Sequence, residues 1–258
     1  MATESTHAMR AAELEQVIPL LPSGGKLLEL GAGDGWQARV LQQLGFDVTA
    51  VDVEVTRRYL VQHFPVSLYD GIRLPFQDNS FDAIYSSNVL EHVVDFAQVQ
   101  SELSRVLRPG GIAIHCVPSA VWRFWTTVGH PMYAARLAWS LRTVNNSCAD
   151  PNHPTENQRL LIRGKSPFSL LRMGLISPRH GEHGNLFAEH RLFSRRGWAR
   201  RFNETGWHVS SAIPTHLFYT GNELFGLSLT IRARQRLAST FGSSTLIYIL
   251  RPPYHQPT

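Results

Sequence analysis

A chain of 258 residues, 43% hydrophobic and 17% charged, can bury a sizeable core, which excludes wholesale disorder and fits one α/β domain spanning 1–258. The net charge of +5 is unevenly laid out: residues 1–119 hold 8 basic and 14 acidic side chains, residues 120–210 hold 13 and 5. Such segregation predicts two surfaces with different partners.

The two cysteines, Cys116 and Cys148, form no metal or redox spacing and read as free thiols. The opening MATESTHAMR is polar and does not read as a signal peptide. No apolar run approaches the roughly 18–20 residues that span a bilayer. The expectation is a cytoplasmic protein.

Taken in chain order, an amphipathic helix is predicted around 8–20, then strands over 26–30, 47–52, 66–69, 81–86 and 112–117. Helices fall between them at 36–44 and 96–107; in the second, Phe96, Val99, Leu103, Val106 and Leu107 share one face. Asp95 and Gln98 resemble a capping box, and Pro109-Gly110-Gly111 is the expected stop. This alternation predicts a parallel sheet with crossover helices. It lapses after Pro118, and 119–190 reads as an irregular or helical insertion, a lid facing the substrate. Order returns with a helix capped by Ser194 and ended by Gly206, a strand over 207–213 and a closing strand over 245–250.

The first strand runs into Gly31-Ala32-Gly33-Asp34-Gly35. A phosphate-cradling loop would end in Lys and Ser or Thr, which are absent, and a dinucleotide fingerprint would place glycine at position 36, which is Trp. Asp34 would also repel a pyrophosphate at the following helix N-terminus. A nucleoside cofactor without phosphates removes the conflict. Asp52, 21 residues beyond Gly31, ends the second strand, where a carboxylate can accept both ribose hydroxyls.

From residue 27 to about 119 the chain resembles the class I S-adenosylmethionine-dependent methyltransferases, through ELGAGDG, Asp52, Asp70-Gly71, Ser87-Asn88-Val89-Leu90-Glu91-His92 and LRPGG in order. The resemblance implies a doubly wound, mostly parallel seven-stranded α/β sheet with an insertion after the fifth strand. It implies S-adenosyl-L-methionine as cofactor. Glu29 would reach the methionine end, Gly31, Ala32, Gly33, Asp34 and Gly35 would form the loop against it, and Asp52 and Val53 would hold the ribose. Asp70 and Gly71 would meet the adenine, with Ser87, Asn88, Val89 and His92 completing the cofactor site. For Glu91 and His92 a packed turn and a ligand-facing role stay open alternatives.

A hydroxyl acceptor must lose its proton as it attacks, and the insertion offers His180, His183 and His190 as general bases. With Glu182 or Glu189 they could also ligate a metal, but their spacing matches no metalloprotease pattern and no metal is assigned. The leading function is O-methylation of a small or carrier-linked acceptor, a glycan, lipid or metabolite, of anionic character. The alternatives are an N- or RNA-directed methyltransferase and a non-catalytic cofactor-binding subunit. Nucleic acid is disfavoured because no RNA-binding module is appended.

Residues 121–142 place Trp122, Phe124, Trp125, Tyr133, Leu137, Trp139 and Leu141 among Arg123, Arg136 and Arg142, without an acid. Gly129 and Pro131 are expected to break the stretch into two pieces. It serves either as a lid over the acceptor pocket or as a peripheral membrane contact.

Overall fold

The computed structural model describes residues 2–53, 61–143, 180–181, 186–220 and 228–253. Seven strands form one sheet: β1 (Gly25–Leu30), β2 (Phe46–Asp52), β3 (Val66–Leu68), β4 (Phe81–Ser87), β5 (Leu107–Pro118), β6 (His208–Pro214) and β7 (Thr245–Arg251). Their order is β3-β2-β1-β4-β5-β7-β6. All pairings are parallel except those of β7, which runs antiparallel between β5 and β6.

Strand β1 shows why the sheet sits inside. Leu27 to Leu30 are all buried, because both faces are covered and successive side chains alternate between them. Leu28, Leu30 and Ile84 pack with α3 (Phe96–Val106) and α6 (Arg195–Glu204), through Val99, Leu103, Trp198 and Phe202. Leu27, Ala83 and Tyr85 pack with α1 (Ala2–Val17) and α2 (Trp36–Gln43), through Leu14, Val17 and Leu41. Glu29 shares the buried stretch and is only 2% exposed.

Two local expectations change. Residues 121–142 are one helix, α4 (Ala120–Thr143), with Pro131 inside it. Pro131 forfeits a backbone bond, and an interior proline costs about 3 kcal/mol in an isolated helix. Tertiary contacts hold the first half of α4 in place: Trp125 Nε1 donates to the Phe241 carbonyl at 3.0 Å, its ring meets Phe218 and Phe241, and Arg123 pairs with Glu189. Second, α3 ends before the Pro-Gly-Gly stretch. Leu107 already turns extended, and Pro109 to Gly111 lie inside the long strand β5. At the other end of α3, Asp95 accepts from the Gln98 amide at 2.9 Å, whereas the Gln98 side chain reaches the Ile72 carbonyl and leaves the box half-closed.

The strand order reverses between β1 and β4, and the crevice beyond the carboxyl ends of these strands is where doubly wound sheets bind ligands. The loops after both strands meet there.

Candidate active site

The glycine loop leaves β1 with the Gly31 and Ala32 amides donating to the Val51 carbonyl, at 2.8 and 3.1 Å. Gly31, Gly33 and Gly35 all take positive φ, which side chains rarely adopt. A Cβ at Gly31 would overlap the Val89 methyls, so the β1 and β4 loops approach only because this residue has no side chain. Asp52 accepts from the Gly33 amide at 2.8 Å and the Val53 amide at 2.7 Å, which fixes its carboxylate against the loop. Asp34 Oδ1 accepts from the Trp36 amide, opening α2.

Burial raises the Glu29 carboxyl to about 8, helped by the charges of Asp34 and Asp52 and opposed by the Ala38 amide. Its Oε2 is buried without a hydrogen-bond partner. Three carboxyl groups about the adjacent ends of β1 and β2, one of them held neutral, make a site suited to positive charge.

The adenine-side residues lie at the neighbouring strand ends. Asp70 Oδ1 accepts from the Ile72 and Arg73 amides, both at 2.8 Å, and these bonds lower its pKa. Gly71 takes φ +78 with Val53 Cγ1 beside it, and Val53 and Ile72 are 57% and 59% exposed. Together they offer an apolar wall for a flat ring.

Helix α1 spans the crevice, a feature the sequence reading missed. His7 Nε2 lies 3.0 Å from Asp34 Oδ2 and its ring stacks on Trp36. One turn on, Arg10 donates to the Ser87 hydroxyl and to Glu13, both at 2.9 Å. The only sequence signal was Arg10 and Glu13 on one helix face. Asn88 takes φ +53, and its amide donates to the Cys116 carbonyl.

After Val89 the chain makes a short turn, Leu90–His92. The Glu91 side chain is fully buried with no hydrogen-bond partner of good geometry on either oxygen; desolvation raises it to about 7, opposed by its own amide and by the charges of Arg10 and Arg201. His92 Nε2 lies 3.9 Å from Glu91 Oε1, and the His92 and His180 rings meet at 4.9 Å. The ring of His180 also abuts Trp122 at 4.5 Å; desolvation, with help from His92 and Arg123, lowers it to about 4.

Of the three proposed bases, the structure brings only His180 into this cluster. His190 is exposed on α5 (Leu186–Leu192), while His183 and Glu182 lie outside the described residues. Glu189 serves the scaffold: Oε1 accepts from the His180 and Gly181 amides at 2.8 and 2.9 Å, and Oε2 pairs with Arg123 at 2.7 Å.

Residues 28–115 match the family model described as methyltransferase domain. Over residues 28–115 the chain is thus similar to the methyltransferase domain family. The chain is 38% identical over 93 residues to a demethylmenaquinone methyltransferase of Corynebacterium urealyticum, covering 35% of this chain and 40% of that one. It is 35% identical over 104 residues to a 2-methyl-6-phytyl-1,4-hydroquinone methyltransferase of Synechocystis, covering 36% and 32%. The chain thus spans less than half the length of either relative. A solved S-adenosylmethionine dependent methyltransferase from Mesorhizobium loti superposes with a TM-score of 0.51 at 17% identity, over 93% of this chain and 97% of that one, and so shares the fold.

The cofactor expected of such a domain is S-adenosylmethionine, and the residues present fit it. The buried, unpartnered Glu29 oxygen among carboxylates suits an ammonium and a sulfonium. The glycine loop lets a ligand touch backbone, and the Asp52 carboxylate is a charged acceptor of the kind hydroxyls bind.

Proposed function

We propose that the chain is an S-adenosylmethionine-dependent methyltransferase that methylates a hydroxyl oxygen of a small or carrier-linked acceptor. The observation that carries this reading is the Glu91–His92–His180 cluster, in the turn that follows Val89, the residue packed against Gly31 of the glycine loop. The cofactor supplies an activated methyl group. Glu29, Asp52 and the glycine loop bind and orient it, and the cluster receives the acceptor and its proton. Proton removal by a positioned group is worth about 10²–10⁴ in rate.

Two relatives are named for quinone-type substrates, and the aromatic side of the cluster, Trp122 with Phe193 behind it, suits a ring. A hydroquinone or phenolic lipid is therefore the leading acceptor class. Peripheral contact with an anionic membrane belongs to the same proposal, since such an acceptor resides there. The exposed stripe Phe124, Val128 and Met132 on α4 and the basic character of 120–210 support it. Among the described residues no helix is long and apolar enough to cross a membrane.

The test is incubation of purified protein with methyl-labelled cofactor and separate pools of hydroquinones, glycans, RNA and amines. Label in an ether of a hydroquinone or other hydroxyl compound is expected. Label confined to RNA or amines would overturn the O-methylation reading, and tight cofactor binding with no labelled product would favour a non-catalytic subunit.

A further inference from the structure

We propose that Glu91, His92 and His180 form a divalent-cation site that grips the acceptor oxygen. Each offers one ligand atom, and these atoms all lie within 4.8 Å of one another. The Glu91 carboxyl is the decisive member. A fully buried carboxyl with both oxygens lacking a hydrogen bond is costly unless a cation satisfies it. Metal–nitrogen and metal–oxygen bonds are about 2.0–2.2 Å, so one ion can bridge the 3.9 Å between Glu91 Oε1 and His92 Nε2 with a small turn of the exposed His92 ring.

The surroundings hold the third ligand in place. Glu189 pins the His180 and Gly181 amides, Arg123 pins Glu189, and the Trp122 ring backs the His180 imidazole. Supporting contacts of this kind orient metal ligands. Gly181 closes the arrangement: a Cβ there would lie 2.8 Å from the Glu91 carbonyl oxygen, so only glycine lets this loop reach the β4 turn. Two histidines and one carboxylate suit a first-row divalent ion and leave coordination positions open.

The role of the ion rests on the methyl-transfer reading, whereas its binding does not. With the ion bound, the cluster acts through it rather than as the base: a hydroxyl oxygen on the cation gives its proton to solvent at lower pH than it would free. That oxygen then bonds to the methyl carbon as the carbon–sulfur bond breaks and its electron pair returns to sulfur.

The test is titration of metal-stripped full-length chain with Co²⁺, followed by visible absorption and by metal content after desalting. One ion per chain is expected, displaced by Zn²⁺. Glu91→Gln and His180→Ala should each weaken binding at least tenfold while melting as cooperatively as the wild type. His208→Ala, a change at an exposed histidine on β6, should bind as wild type. No visible band in the wild type, or equal binding by both variants, would overturn the site. If either variant fails to melt cooperatively, the other decides. Calorimetry with S-adenosylhomocysteine on the same samples separates the two ideas: Co²⁺ binding without cofactor binding leaves the cation site and removes the methyl-transfer reading, and the converse removes only the site.

Discussion

Gly31 and Asp52 carry the sharpest expectations at the scale of single residues. Gly31→Ala adds a Cβ at φ +71 that overlaps Val89. Left-handed backbone costs about 1–2 kcal/mol and overpacking about 1–3, so urea denaturation should show a loss of about 2–5 kcal/mol, with cofactor affinity falling too. A variant as stable as the wild type would mean the two loops do not meet. Asp52→Ala removes the carboxylate that ties the Gly33 amide and, in the proposed complex, two ribose hydroxyls. The expected loss of cofactor affinity by calorimetry is about 2–4 kcal/mol, with NADH not bound by wild type. Unchanged affinity would remove the ribose role. These positions were legible because glycine spacing and a strand-end acid obey local backbone rules. Glu91 was only half legible: LEH marks a turn, but whether its acid faces core or crevice depends on residues 180–181, some 90 positions away along the chain.

Among the elements, α4 is where the sequence misled. Gly129 and Pro131 are local breakers, yet the helix continues through them, and the packing of Arg123 and Trp125 against distant residues holds its first half. The Arg123–Glu189 pair is 2% and 0% exposed, so Arg123→Ala strands a buried carboxylate. Breaking such a pair costs about 3–5 kcal/mol, and Arg123→Met with Glu189→Leu should recover much of it. Turnover would stay low in the double variant, since the amides of His180 and Gly181 lose their acceptor; recovered turnover would show that Glu189 does not position His180. The outer face of the same helix bears Phe124, Val128 and Met132, 49%, 52% and 59% exposed. Replacing all three by serine should abolish co-sedimentation with anionic liposomes, which should also weaken in high salt. Wild-type protein that pellets with neither anionic nor neutral liposomes would remove the membrane contact.

For the molecule as a whole, the α/β alternation through β5 was readable because parallel strands and crossover helices carry distinct periods. The cover formed by α1 was not, since its crevice contacts join residues 7–13 to 34–36 and 87. Global stability should depend in part on the Glu29 carboxyl, alongside Glu91, whose carboxyl is also raised, and His115 and His180, whose rings are lowered. The Glu29 pKa rises from 4.5 to about 8 on folding, so the unfolded chain ionises first and stability falls as pH climbs between those values. The full difference is on the order of 5 kcal/mol, absent below pH 4.5 and complete above about 8. Glu29→Gln should flatten the profile in denaturant titrations, and saturating cofactor should flatten it in the wild type; a parallel profile for the variant would contradict the assignment. The placement of β7 bears on a different matter, the order of events during synthesis. The sheet's final strand in sequence lies between β5 and β6, pairing Pro118 with Thr245 and leaving β6 no other partner in the sheet. A ribosome can release β1 to β5 as a nascent parallel sheet, but β6 has nothing to join until residue 251 has emerged, so the last two strands must be added in one late step.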